Sequence, residues 1–327
     1  MILLAGIPTE TPLAMVASAL DRLGAPYLLW NQRLVRETSV DIDLVGGRLG
    51  GSLTVSGRPL DLTHVTAAYP RLMDPERLPE LARGTVDDTE LARGLAVHRL
   101  LDGWLEVSPA RVVNRSAPQG SNGSKPYQGQ LIRDVGFRVP ETLVSNDPAA
   151  IHDFIARHRR VVYKSMSGVR SIVRTVDDDA LERIDRVRWC PVQFQAFVEG
   201  VNVRVHTVGA TAAFASLVRS DGVDYRYAEG PAAEVAATAL PVQVEERCLQ
   251  LAARLGLHFA GIDLKIDPSG EAWCLEVNPS PAFSYYEGQT GQPIADAVAA
   301  YLAGRAPQHP MLSETGPVYG SSSAGLT

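Results

Sequence analysis

At 327 residues the chain is longer than one hydrophobic core ordinarily serves, and its 45% hydrophobic and 21% charged content is that of a soluble globular protein. A net charge of −6, with 31 lysines and arginines gathered into no basic block, argues against nucleic acid as a partner. No apolar run is long enough to cross a bilayer, and Cys190, Cys248 and Cys274 lack the paired spacing of a zinc site, so no membrane association, reduced thiols and a cytoplasmic location are expected.

The opening run Met1 to Gly6 is apolar but has no basic leader and soon meets Pro8 and Glu10, so it reads as a first strand and not as a signal peptide. Leu13, Val16, Leu20 and Leu23 recur at helical spacing and stop at Gly24, and Tyr27 to Trp30 follows as a second strand. A β-α-β start of this kind belongs to a small parallel-sheet domain. Gly46-Gly47 and Gly50-Gly51 punctuate short hairpin strands up to Val55. Val65 to Tyr69 is a further strand with Arg71 close behind it, 85–104 carries a helical pattern, and Val112 to Arg115 closes a first domain, 1–115.

A polar loop over 116–124 leads to a helix that opens at Lys125-Pro126 and stops before Gly136. Phe137 to Val144 reads as a strand and Asp147-Pro148 starts a helix. Val161 to Tyr163 is a strand that delivers Lys164 into Ser165-Met166-Ser167-Gly168, with strand character resuming over 169–176. These make a central subdomain, 116–190, and a third spans 191–305. In the third, 191–198 is strand-like, 200–209 alternates polar with apolar residues, and 212–218 pairs with it; helices follow at 245–255 and 294–302. The stretch 306–327 is rich in Gly, Ser and Pro and poor in large apolar residues, the composition of a disordered tail.

Candidate chemistry gathers between Gly261 and Asn278. Asp267-Pro268-Ser269-Gly270 has the residues of a type I turn, so the flanking runs form a β-hairpin. Glu276 and Asn278 share a face of its second strand. Asp263 joins them if the turn is a two-residue loop and is sent to the other face by a one-residue shift. All three are hard oxygen donors of the kind that hold Mg²⁺ beside phosphates; taken singly, each also reads as a polar residue on a solvated hairpin. Other chemistries fit poorly. In Gly120-Ser-Asn-Gly-Ser-Lys125 the glycine spacing is wrong for a P-loop and Pro126 stands where Ser or Thr would bind the metal. No Gly-x-Ser-x-Gly occurs, and the seven histidines have no metal-ligand spacing. His206 reads as a satisfied strand histidine.

Lys125 before a helix, Lys164 at a strand end before a Gly-containing loop, Asn202-x-Arg204, Asp263 and Glu276-x-Asn278 follow one another in an order that resembles the ATP-grasp superfamily. Within it the chain is most similar to the RimK-type carboxylate-amine ligases and the microviridin-type (graspetide) macrocycle ligases. Leu275-Glu276-Val277-Asn278-Pro279-Ser280-Pro281, continuing through Gly291 and Ile294-Ala295 into a closing helix, carries the likeness furthest. The resemblance implies a mixed α/β and α+β ATP-grasp fold, in which an N-terminal parallel-sheet (pre-ATP-grasp) domain precedes two subdomains that clasp ATP.

It further implies that Lys125 and Lys164 reach the nucleotide phosphates, with Ser167 and Gly168 in a loop folding over them. Gln195, Ala196, Phe197 and Val198 would form the hinge that reads adenine, with Glu199 near the ribose. Asp263, Glu276 and Asn278 would hold Mg²⁺; a second ion, or Mn²⁺ in its place, is compatible with this. Arg204 would stabilise charge on the transferring phosphoryl group, although a cross-strand salt bridge explains it equally well. Asp224-Tyr225-Arg226 resembles an Asp-aromatic-Arg element of the macrocycle ligases, which makes Arg226 a catalytic residue that binds the substrate carboxylate and Asp224 a substrate residue, and Arg71 would face the same cleft from the first domain. The chain departs from the pattern at Asn202, where relatives often have Asp, and in having only Gly168 with Arg170 in the phosphate loop. The implied reaction is ATP-dependent activation of a carboxylate as an acyl phosphate, attacked by an amine, on an amino-acid or peptide substrate. Alternatives are a peptide macrocyclase and an ATP-binding module without catalysis; a homo-oligomer is compatible with each.

Overall fold

The computed structural model describes residues 1–82, 84–165, 173–219 and 234–307. Ser167, Gly168, Asp224, Arg226 and nearly all of the expected tail lie outside the described residues.

Strand β1 (Ile2–Gly6), helix α1 (Thr11–Leu23) and strand β2 (Tyr27–Asn31) make the β-α-β start. Helix α1 has Pro12 in its first turn, where a missing N–H costs nothing, and ends on Gly24 in the left-handed region at φ 62°. Strands β3 (Ser39–Val45), β4 (Arg48–Val55) and β5 (Arg58–Asp61) form a small antiparallel sheet of their own. The chain returns through β6 (Ala67–Arg71), α2 (Asp88–Val107) and β7 (Arg111–Val112) to a parallel sheet ordered β2-β1-β6-β7.

The polar stretch expected as a loop is wound instead into α3 (Ser116–Gln119) and a 3-10 turn, Gly120–Gly123, that runs into α4 (Lys125–Asp134). Turns this short carry no apolar period by which a sequence could announce them. The strand expected from Phe137 is confined to β8 (Thr142–Ser145). Phe137 is buried with the residues of α4, Arg138 makes only an isolated bridge to Trp273, and Pro140 has no N–H for a ladder. Then come α5 (Pro148–Arg157), β9 (Val161–Ser165), β10 (Arg174–Thr175), α6 (Asp178–Glu182) and β11 (Val192–Ala196). The sheet β10-β9-β11-β8 is antiparallel and packs Phe194 against Ile151 and Phe154 of α5.

The last part comprises β12 (Val201–Val208), β13 (Ala212–Arg219), β14 (Glu234–Thr238), α7 (Val242–Arg254), β15 (Phe259–Ile266), β16 (Ala272–Asn278), α8 (Ser284–Thr290) and α9 (Ile294–Leu302). Its sheet is antiparallel in the order β14-β13-β12-β15-β16. Val203, Val205, Ile262, Leu264, Cys274 and Val277 cover one face and share a core with α4 and α7. On the other face Val208, Phe214 and Phe259 join α9 and α1 in a core that also holds Ile2 and Leu4 of β1. Alternation along the strands therefore puts Asn202, Arg204 and Asp263 on this second face, past the end that α9 covers. Among the described residues no helix is long and apolar enough to cross a membrane.

Candidate functional site

The hairpin turn is a five-residue loop, since Ile266 pairs with Ala272. Asp267 anchors it, accepting from the Ser269 hydroxyl at 2.5 Å, the Trp273 indole at 3.0 Å and the N–H groups of Ser269 and Glu271. The Ser269 and Trp273 hydrogen bonds hold its carboxyl down to about 2. Continued unbroken, this register would oppose Asp263 to Leu275 and turn Glu276 into the core. A β-bulge intervenes: Leu264 faces Cys274 but Asp263 faces Glu276, and Cys274 and Val277 both lie in the core. Leu275 and Glu276 thus both emerge on the open face, where Asp263 and Asn278 stand. The question that parity left open is settled by an irregularity in the strand, not by the turn.

Glu276 lies between two ammonium groups, its Oε2 3.2 Å from Lys125 Nζ and 3.3 Å from Lys164 Nζ. Lys125 comes from the first turn of α4 and Lys164 from β9, so three separate elements build the cluster. Burial pushes the Glu276 carboxyl up, and the charges of Lys164 and Lys125 outweigh it and hold it well below the ordinary carboxylate range. Next to it, Asp263 Oδ1 accepts from Arg204 Nη1 at 2.6 Å between paired residues of β12 and β15. The cross-strand salt bridge is therefore present, and it lies inside the cluster. Arg204 is only 8% exposed in its side chain and has the Tyr286 ring 5.7 Å from its guanidinium carbon. Gly261 makes room for it, because a Cβ there would overlap both that guanidinium and Pro281.

Asn278 Nδ2 stands 3.3 Å from Asp263 Oδ2 and 3.4 Å from Glu276 Oε1. Amide oxygen and nitrogen are interchangeable in placement, so a turn of this side chain presents Oδ1 beside both carboxylates. Counting only His, Cys, Asp and Glu, no group of three able to hold a metal occurs among the described residues. With the Asn278 amide as third donor the set is all oxygen, which fits Mg²⁺ and not a softer metal. Among the described residues, three cations surround the two carboxylates, a positive excess suited to an anionic ligand.

Gln195 and Ala196 end β11 and Phe197 to Glu199 cross to β12. Gln195 Nε2 donates to Thr142 Oγ1 at 3.1 Å, and the Ala196 and Phe197 N–H groups donate to the Glu141 and Arg160 carbonyls. The Phe197 ring has the Arg160 guanidinium 3.8 Å from its centre and the Lys265 ammonium at 4.8 Å. Lys265, two residues along β15 from Asp263, also donates to the Gly200 carbonyl at 3.3 Å. Glu199 is exposed, 3.5 Å from Arg160. Arg71 ends β6 with its side chain 8% exposed, bound by Glu10 at 2.5 and 2.8 Å and standing 3.4 Å from the Pro281 carbonyl. It joins the first sheet to the segment after β16 and is not a solvated arginine.

His206 departs from the expected satisfied histidine. It is fully buried, with neither ring nitrogen hydrogen-bonded among the described residues, and its ring meets Tyr286 edge-on at 5.0 Å. Two further residues escaped the sequence reading. Asn114 donates to the Phe259 and Pro279 carbonyls at 2.6 Å each and accepts from the His258 and Phe259 N–H groups, holding the start of β15 against the end of β16. Gln128 bonds both backbone groups of Val277. A polar residue in the apolar run around Asn114 is the one local signal; the contacts themselves join residues 145 and 149 positions apart.

No family profile matches the chain. It is 24% identical over 221 residues to a probable α-L-glutamate ligase of Shewanella amazonensis, a match spanning 63% of this chain and 71% of that protein. Among solved structures, the macrocyclase MdnC of Microcystis aeruginosa bound with precursor peptide MdnA superposes with a TM-score of 0.77 at 23% identity, over 93% of this chain and 99% of that one. The ATP-grasp ligase PsnB, complexed with a phosphomimetic variant of its minimal precursor, Mg and ADP, superposes with a TM-score of 0.75 at 26% identity, over 93% and 97%. With the mixed α/β architecture described above, these likenesses show that the chain has the fold of the ATP-grasp ligases.

Proposed function

We propose that the chain is an ATP- and Mg²⁺-dependent ligase that activates a carboxylate for attack by an amine, on an amino-acid or peptide substrate. The observation that carries this is the convergence of Lys125, Lys164, Arg204, Asp263, Glu276 and Asn278 from α4, β9, β12, β15 and β16. In the proposed reaction a substrate carboxylate oxygen bonds to the γ-phosphorus as the bond to the β-γ bridging oxygen breaks, releasing ADP. The amine nitrogen then bonds to the acyl carbon and phosphate leaves. Phosphoryl transfer needs alignment and charge neutralisation more than covalent help. Lys125 and Lys164 stand where one anionic group already draws both, and a phosphate beside Glu276 would be in their reach. Arg204, fixed by Asp263, points a guanidinium at the same place. Asp263, Glu276 and Asn278 would hold Mg²⁺, which would supply charge neutralisation for phosphoryl transfer. The hinge 195–199 would take adenine, Ser167 and Gly168 would cover the phosphates, and Arg71, Asp224 and Arg226 would face the substrate.

A second reading, a macrocyclase that forms ester or amide cross-links within a peptide, draws support from the degree of structural likeness. MdnC and PsnB superpose with TM-scores of 0.77 and 0.75, whereas a D-Ala:D-Ser ligase of Enterococcus faecalis superposes with 0.57 over the same 93% of this chain. Free cysteines, Cys190 exposed and Cys248 and Cys274 buried, accord with a cytoplasmic setting.

The test is ADP release across a panel of amino acids and peptides, with wild type and Glu276→Gln. The reading expects turnover with at least one acceptor and a loss of about 10²–10³-fold in the variant, the scale of removing one electrostatic stabiliser. Mass spectrometry of the product separates the two readings: loss of water within one peptide marks a macrocyclase, and joining of two molecules marks a ligase. If both proteins bind ATP and neither turns it over on any substrate, catalysis is excluded.

A further inference from the structure

Strand β16 ends its sheet: β15 lies on one side, and on the other no strand pairs with it among the described residues, only Arg138 in an isolated bridge with Trp273. The outward N–H and C=O groups of such a strand need partners from elsewhere. At Val277, between Glu276 and Asn278, one side chain supplies both: Val277 N–H donates to Gln128 Oε1 at 3.0 Å, and Gln128 Nε2 donates to the Val277 carbonyl at 2.9 Å. A carboxamide carries a donor and an acceptor side by side and so can replace a neighbouring strand for one residue. Gln128 is 1% exposed, so water does not compete for either bond. It stands one turn along α4 from Lys125, which pairs with Glu276 at 3.2 Å. Two side chains one turn apart on the helix thus meet consecutive residues of the strand.

We propose that Gln128 is a positioning residue that latches β16 to α4 and thereby fixes Glu276 and Asn278 relative to Lys125. The latch itself follows from the geometry; its effect on metal and nucleotide rests on the function proposed above. Loss of such a support around a metal site typically costs about 10–100-fold in metal affinity.

Two measurements test this on the full chain, with Gln128→Met and Gln128→Leu, each of which keeps a side chain of similar size and drops both hydrogen bonds. The first is amide hydrogen exchange at Val277, with Cys274, whose N–H is bonded to the Arg138 carbonyl at 2.9 Å, as internal control. Exchange at Val277 should quicken by about 10-fold or more in either variant, with little change at Cys274. The second is ADP binding followed by calorimetry over a Mg²⁺ series. The half-saturating Mg²⁺ should rise by about 10-fold or more, while ADP affinity in EDTA stays near wild type. Unchanged exchange at Val277 overturns the latch, and faster exchange with an unchanged Mg²⁺ requirement overturns its positioning role. If Gln128→Met fails to fold, the Leu variant decides on the same readouts. Wild type that binds no ADP at any Mg²⁺ concentration defeats the proposed function and leaves the exchange data to judge the latch.

Discussion

Arg204 and His206 alternate with core residues on β12 and so share a face, one ending in an ion pair and the other in an apolar enclosure. Sequence could place both on that face but not choose between readings of either. Arg204 turned out to be cross-strand partner and cluster member together, because the residue opposite it is Asp263. Burial, and secondarily the Arg204 charge, pushes the His206 pKa well below its ordinary 6.5. The sign follows from linkage: the unfolded chain takes up the proton first, so stability is full above about pH 6.5 and falls as pH drops toward the folded value. The slope is at most about 1.4 kcal/mol per pH unit. His206→Phe suits the Phe259 and Tyr286 surroundings and removes the titration. Its Tm between pH 8 and pH 5 should therefore fall less steeply than that of wild type, and an identical slope would refute the assignment.

At the scale of elements, the parts announced by local pattern were legible: the β-α-β start, α4 with Pro126 at its opening, and the hairpin around Asp267 to Gly270. The bulge at Leu275 was not, because Cys274-Leu275-Glu276 holds no glycine or proline to mark it. The short helix α8 has no apolar period, and only Gly291, left-handed at φ 68°, marks its end. A bulge bends its strand and strengthens the twist, and here it brings two successive side chains to one face. Deleting Leu275 leaves Asp263 opposite Glu276 and Cys274 in the core, but straightens the strand beneath the carboxylate. The variant should fold with a Tm close to wild type and lose ATP turnover by about 10-fold or more, as misplaced catalytic groups do. Full activity would show that the bend has no part in aiming Glu276.

Over the whole molecule, the core of β1, α1 and α9 joins the first and last described elements, and Arg71 and Asn114 bind the N-terminal sheet and the segment after it to both ends of the hairpin. Such contacts lie beyond sequence periodicity, which registers neighbours along one element and not partners across the chain. What the sequence did carry was the order of charged residues, from Lys125 to Asn278, that the fold gathers around one sheet face. The central claim is that this face grips a triphosphate through magnesium. A crystal structure with ADP and Mg²⁺ tests it most directly: the account predicts Lys125 and Lys164 on the phosphates and the ion bound by Asp263, Glu276 and Asn278. A nucleotide bound elsewhere, or an ion with none of these three as ligand, would contradict it.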